Sequence, residues 1–396
     1  MKKLFILIVL AMVALPGLAE TQAQAPRVFK DIPPEYLVQA DVIPDFWVST
    51  VDGAFAFLDQ KVHKGIVQPI GTTAGGRPMR AVFYGQPRSP KGTTTFSGSI
   101  GFHDVRAYLG PDYDKKVYMA MGSVHGGEIE GIVGIVNLIS VLETGSDLRG
   151  KPWPGITAAA AKLDRIILLP ITNVDGRARV PYRMLRNWGQ NVDVAEYFNT
   201  GGQRNGKLVG YPTCKQFIPL DFSTVGFPGG YPNDAGVNFQ HDDFFGHPQP
   251  ETRALLDLTA RERPDLTLNM HTGGKFMSAS REFIEPSLTP ANEEFYRRVQ
   301  TALTLAGLEA TDDVARESDP SHAQPGVFNL DTVINLNSGA LAMLIESPSH
   351  ASAPAVRDGK PRPFSADDIL DAQLTAHQAA MTFLVETGGR ARWSKK

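Results

Sequence analysis

Residues 115–143 read KKVYMAMGSVHGGEIEGIVGIVNLISVLE, and the change of period inside this stretch decides the fold. The run from Lys115 to Met121 is of strand type. From Ile129 the apolar residues fall at 129, 132, 133, 136, 139 and 142, the spacing of an amphipathic helix. Gly145 is placed to stop that helix. Between strand and helix stand His125-Gly126-Gly127-Glu128. A pair at i, i+3 lies on one face of a helical turn, so both side chains can reach one ion. A catalytic zinc site of the common two-histidine, one-glutamate kind needs a further histidine and an open fourth position.

The alternation continues outward from this stretch. Residues 45–62 predict a helix. Residues 66–71 and 79–84 predict two strands around a Gly75-Gly76-Arg77-Pro78 turn. Residues 85–114, rich in Gly, Ser, Thr and Pro, read as an insertion. A helix is expected over 157–163, then a short apolar strand over 165–170, of the kind buried on both faces. Residues 187–235 are loaded with Gly, Pro, Asn and aromatics. A helix over 251–263 starts behind Pro250, and the strand 266–270 ends at His271. After a helix over 292–306, the strand 340–345 ends at Glu346, and a closing helix is expected over 367–386. No internal repeat is present. Strands alternating with helices predict an α/β fold with a mostly parallel sheet. Sites in such sheets gather at the C-terminal strand ends, where His125, His271 and Glu346 all fall.

Composition sets the outer bounds. The chain has 396 residues, 42% hydrophobic and 20% charged, with a net charge of -3. That is ordinary globular composition, with ample length for a large core. No Lys/Arg run suggests a nucleic-acid surface. Lys2-Lys3, the apolar run from Leu4 to Leu15 and the small residues up to Ala19 have the layout of a secretory signal peptide. The run is short for a membrane span. The expectation is a secreted or periplasmic protein with no stable span after signal cleavage. Cys214 is the single cysteine, so no intrachain disulfide can form.

His271 is the natural third ligand. A zinc ion held by His125, Glu128 and His271 would lower the pKa of its water toward about 7. A carboxylate beside that water can take its proton and deliver it to a leaving amine, and Glu346 is the candidate. Each residue also has a plain structural reading, His271 as a strand-end loop histidine and Glu346 as a helix-capping or arginine-pairing acid.

Several short segments then follow one another in a telling order. They are Gly71-Thr72-Thr73-Ala74-Gly75-Gly76-Arg77-Pro78, His125-Gly126-Gly127-Glu128, Asn173-Val174-Asp175-Gly176, Arg183-Met184-Leu185-Arg186 and Pro250-Glu251-Thr252-Arg253-Ala254-Leu255, then His271 and Glu346. In this order the chain resembles the zinc metallocarboxypeptidase family, the carboxypeptidase A-like peptidases, over residues 45–385. The resemblance implies a single α/β domain. Its mixed, mostly parallel sheet would have about eight strands flanked by helices. One zinc per chain, Glu346 as general base and acid, and Arg186 polarising the scissile carbonyl are also implied. Arg183 is carried along as a substrate-side residue. The domain plan is a signal peptide over 1–19, an extended lead-in over 20–44 and a catalytic domain over 45–390. Residues 187–235 would form a long cleft-side loop insertion.

Two departures bear on substrate. Where the family carries an Asn-Arg pair that holds the substrate's C-terminal carboxylate, this chain has Gln240 and His241. Histidine lacks the bidentate, permanently charged fork of arginine. His241 reads either as an anion clamp charged through Asp242 or Asp243, or as a solvated loop histidine. The family's mobile tyrosine has no counterpart, since no tyrosine follows Tyr296. His322 is the nearest polar candidate. The expected activity is hydrolysis of a peptide or peptidoglycan-stem amide. The alternatives are a zinc amidase or deacylase of N-acyl amino acids, or a carboxypeptidase-like module that binds peptide or glycan without cleaving it. A serine hydrolase is disfavoured, because no Gly-x-Ser-x-Gly occurs.

Overall fold

The structure is a computed structural model. It describes residues 32–37, 39–101, 103–186, 192–210, 213–215, 219–273, 284–308, 328–350, 355–357, 360–362 and 364–394. The signal segment 1–19 and His322 lie outside the described residues.

Helix α1 (Val51–Lys61) starts later than the sequence pattern suggests, because Thr50 caps it. The Thr50 hydroxyl accepts the Gly53 N–H at 3.1 Å, one of the orphan donors of a helix start. Strands β1 (Ile66–Thr72) and β2 (Pro78–Gly85) form an antiparallel pair. Pro69 is tolerated because β1 is an edge strand, and the register shifts beside it. The expected insertion folds into two short helices, α2 (Phe96–Gly101) and α3 (Arg106–Leu109). Next come β3 (Val117–Gly122), α4 (Glu130–Thr144), α5 (Pro154–Ala160), β4 (Arg165–Leu169) and α6 (Val174–Arg179). The segment expected as a loop holds α7 (Val192–Thr200) and a small pair of strands, β5 (Gly202–Gln203) and β6 (Val225–Phe227). Then follow α8 (Pro250–Glu262), β7 (Leu266–Gly273), α9 (Thr289–Leu305), a helix over Leu330–Ser338, β8 (Leu341–Pro348) and the closing helix Ala366–Thr387.

Six of these strands, among the described residues, form one mixed sheet in the order β1-β2-β4-β3-β7-β8. The expectation was about eight. The outer pairs β1/β2 and β2/β4 are antiparallel; β4/β3, β3/β7 and β7/β8 are parallel. Every residue of β3 and β4 is buried, as parallel strands covered by helices require. The closing helix packs against α4, α5 and α9, while α8 packs against β1 and the Leu330–Ser338 helix.

One element departs in character from its sequence pattern. Helix α4 reads as amphipathic, yet every residue from Glu130 to Val141 is buried. It runs between the sheet and a second shell made by α1, α5 and the closing helix, so its nominally polar face is covered too. It stops where expected, with Gly145 at φ 89° donating its N–H to the Val141 carbonyl. The parallel strands share their C-terminal edge, and the β7/β8 register sets His271 opposite Glu346.

Candidate metal centre

The turn after β3 is held by backbone rather than by side-chain bulk. Ser123 takes a left-handed φ of 55°, and its hydroxyl donates to the His125 carbonyl at 3.2 Å. Gly126 follows with no room for a side chain, because a Cβ there would overlap the main chain of Gly176 and Arg177. A Cβ on Gly127 would meet Asn199 Oδ1 at 2.7 Å and its Cα at 2.9 Å. The two glycines therefore let α6 and α7 close directly on the turn that carries His125 and Glu128.

His125, Glu128 and His271 are buried, and one ligand atom from each lies within 4.8 Å of the others. His125 Nδ1 stands 2.9 Å from Glu128 Oε1, and His271 Nδ1 stands 3.0 Å from Glu128 Oε2. Asn238 Oδ1 accepts the Gln240 N–H at 3.2 Å, which fixes the amide with its oxygen inward. His125 Nε2, also 3.2 Å from that oxygen, is therefore the protonated nitrogen. Its Nδ1 is left with a lone pair facing a carboxylate, a repulsive contact that a cation among the three groups relieves. His271 Nε2 is buried without a hydrogen-bond partner among the described residues.

The electrostatics favour a cation as well. Burial works against a charged His271 ring, but the Glu128 carboxylate, with Glu346 and Asp331 beyond it, pushes the ring up to about 9. Burial pushes His125 down despite Glu128. Glu128 is held well below the usual carboxylate range by the two imidazoles, although burial opposes this. With the His271 proton displaced by a cation, two imidazole nitrogens and one ionised carboxylate are the donor set of a zinc site with an open position.

Contacts that sequence reasoning missed surround these three residues. Tyr231 stacks on the His125 ring at 3.7 Å with planes 5° apart. Asn199 Nδ2 donates to Glu128 Oε1, and the Thr272 N–H donates to Glu128 Oε2, both at 3.2 Å. Glu130 is buried two residues beyond Glu128 and accepts the Thr272 hydroxyl at 2.9 Å and the His350 ring at 2.7 Å. His350 Nε2 in turn accepts the Leu185 N–H at 3.0 Å, so the ring proton sits on Nδ1, facing Glu130. Asp331, on the Leu330–Ser338 helix, is fully buried, and burial raises its pKa. Its Oδ2 accepts Gln240 Nε2 and Asn269 Nδ2 at 2.9 Å each. Asn238 stands two residues before Gln240, next to the pair the sequence singled out. Nothing in the sequence marked Asn199 or Asp331, which reach the site only through packing.

The other expected site residues fall as follows. Glu346 sits near the end of β8 opposite His271. A Cβ on Gly273 would lie 2.9 Å from Glu346 Oε2, a buried oxygen, so the β7 backbone approaches it closely only because residue 273 is glycine. Arg186 is half exposed, and its Nη2 pairs with Asp41 at 2.7 Å. Arg183 is exposed; its carbonyl accepts Trp47 Nε1 and the Ser49 hydroxyl. Gln240, expected on the substrate side, is buried and engages Asp331 and Asn269 through its own amide. His241 is half-buried at the end of a short 3-10 turn. The carboxylates expected to charge it are engaged elsewhere. Asp242 accepts the Gln249 N–H and the Thr252 hydroxyl, and Asp243 accepts the His247 N–H.

The motifs far from the metal cluster meet one another in space. Asp175 accepts the Thr73 hydroxyl at 2.6 Å, the Gly75 N–H and Arg77 Nη1 at 2.8 Å each, and the Asp234 N–H at 3.1 Å. Asp234 also pairs with Arg77 and Arg179 at 2.7 Å each. Asn173 Nδ2 donates to the Tyr231 carbonyl at 3.0 Å. This network fixes the loop that carries Tyr231 and Asn238, and so fixes the partners of His125.

Comparison with known proteins agrees with this geometry. A profile described as zinc carboxypeptidase matches residues 60–339. No curated protein matches the chain. Among solved structures, one assigned as carboxypeptidase A from Shewanella denitrificans superposes with TM-score 0.51 at 15% identity, covering 84% of this chain and 69% of that one. One assigned as a carboxypeptidase from Burkholderia mallei gives TM-score 0.50 at 17% identity, covering 85% and 67%. At these identities the likeness is one of fold.

Proposed function

This chain belongs to the zinc carboxypeptidase family, and from that premise we propose that it cleaves an amide bond in a peptide or a peptidoglycan stem, with Glu346 as general base and acid. It is a zinc metallopeptidase, and its His-Glu-His group can hold the metal. The observation that carries the reading is the convergence of His125, Glu128 and His271, with Glu346 opposite His271 in the β7/β8 register.

Zinc bound there supplies Lewis acidity, polarising an amide carbonyl and making water acidic enough to attack near neutral pH. Glu346 takes the proton of the attacking water on a carboxylate oxygen and returns it to the leaving amine nitrogen. Gly273 lets the β7 backbone lie close against Glu346 Oε2. Arg186 supports the developing negative charge on the carbonyl oxygen. Its exposed pair with Asp41 contributes little to stability, so a substrate oxygen can compete for the guanidinium. Export through the signal over residues 1–19, and a catalytic domain over 45–390, belong to the same proposal.

A specific observation keeps a second reading in view. His241 stands in place of the family's carboxylate-gripping arginine, and the neighbouring Asp242 and Asp243 carboxylates are engaged by other groups. A zinc amidase or deacylase of N-acyl amino acids would need no such grip. Metal analysis of the purified protein should give one zinc per chain. The kcat/KM ratio on one peptide with a free or an amidated C-terminus then separates the readings. A large preference for the free end supports a carboxypeptidase with His241 as clamp. Equal values remove the clamp and leave an amidase or endopeptidase.

A further inference from the structure

We propose that Asn199, from the segment expected to be a loop, is a positioning residue that locks the Glu128 carboxylate in the plane the metal requires. The proposal rests on zinc binding at His125, Glu128 and His271.

A carboxylate turns easily about its last torsion, whose energy profile is broad and two-fold. One donor leaves it free to swing, whereas a fixed donor on each oxygen sets its plane. Glu128 has that arrangement. Its Oε2 accepts the Thr272 N–H from the β7 backbone, and its Oε1 accepts Asn199 Nδ2 from the end of α7, each at 3.2 Å. The first donor belongs to the strand that also carries His271, so it moves with the second histidine. The second comes from a separate element and ties the ligand to the rest of the molecule.

Three features make Asn199 a rigid donor. Its carbonyl accepts the N–H groups of Gly230 and Tyr231, at 2.9 and 3.0 Å. Its side chain reaches Glu128 across Gly127, whose missing Cβ leaves the space that Asn199 fills. Its amide has one workable orientation, because an oxygen turned toward Glu128 Oε1 would be repelled. The same segment places Tyr231 flat against the His125 ring. Asn199 thus holds Glu128 while Tyr231 and Asn238 hold His125, the two members of the His125-x-x-Glu128 pair.

The test is zinc affinity, measured by competition with a chelator on purified protein without substrate. Asn199→Leu keeps the branched outline of the side chain and removes the donor; Asn199→Ala removes both. Each should bind zinc about 10–100-fold more weakly, the usual effect of losing a partner of a metal ligand. Glu128→Ala should lose tight zinc binding altogether. If Glu128→Ala retains tight zinc, the metal lies elsewhere and the underlying reading fails. If Glu128→Ala loses zinc while Asn199→Leu binds it as the parent does, Asn199 only fills space and the proposal is overturned. Thermal midpoints of the chelated proteins report folding independently of the metal. Should Asn199→Leu fail to fold, parent-like affinity of Asn199→Ala overturns the proposal on its own.

Discussion

One oxygen, Asn238 Oδ1, decides which nitrogen of His125 carries the proton. It accepts the Gln240 N–H, must therefore accept His125 Nε2–H as well, and so turns an unprotonated Nδ1 toward Glu128. His125, one of the three donors, is poised for a cation by this shared acceptor. Glu346 is the residue proposed for proton transfer, and that role separates from metal binding by substitution. Glu346→Gln keeps the shape of the side chain and removes the proton acceptor. The expected outcome is a kcat about 10²–10⁴-fold lower, with zinc content unchanged. A kcat within tenfold of the parent would move the base to another residue.

At the level of elements, the strand-turn-helix unit from β3 to α4 does most to build the site. Its turn is compressed between α6 and α7, and the compression sits on Gly126. Gly126→Ala drives a methyl into the backbone of Gly176 and Arg177, atoms that cannot turn aside as a flexible side chain could. Overpacking of this kind costs about 1–3 kcal/mol. The denaturant midpoint of metal-free Gly126→Ala should fall accordingly, and zinc affinity should fall with it because His125 is displaced. Parent-like stability would show that the turn has slack. The elements themselves were largely legible. Strand β4 and the closing helix appear within a residue or two of their sequence patterns. The polar face of α4 misled, since its cover comes from α1, α5 and the closing helix, far away in sequence.

Across the whole molecule, buried charge links the distant motifs and makes stability depend on pH in two directions. Asp234 is held below the usual carboxylate range by Arg179 and Arg77, although burial opposes this. Its contribution is present above its unfolded pKa and is lost as the pH falls. Glu251, at the start of α8, accepts the Ala74 N–H and Asn233 Nδ2, yet burial pushes it from the ordinary 4.5 up to about 7. The folded protein therefore binds this proton more tightly than the unfolded chain. Its contribution is complete below about pH 4.5 and is lost as the pH rises through about 7. Unfolding of metal-free Glu251→Gln, followed from pH 4.5 to 8, should lack this loss. Relative to the parent, the variant should gain on the order of 3 kcal/mol across that range. Parallel pH profiles would mean that Glu251 titrates in the folded protein as it does in the unfolded chain.

The sequence by itself determined the period of each major element, the placement of His125, His271 and Glu346 at strand ends, and the order of motifs that carries the family. Those features are local, since hydrophobic spacing, glycine at a turn and residue type at a strand end are all written within a few positions. The tertiary structure alone decided which residues gather around the His-Glu-His group. Asn199 and Tyr231 reach Glu128 and His125 from a segment that reads as a loop, and Asp331 and His350 arrive from elements late in the chain. Gln240 carries the sequence signature of a substrate contact, yet it is engaged by Asp331 and Asn269 inside the protein. Hydrogen bonds across such separations follow from how helices and sheet pack, and no local pattern encodes them.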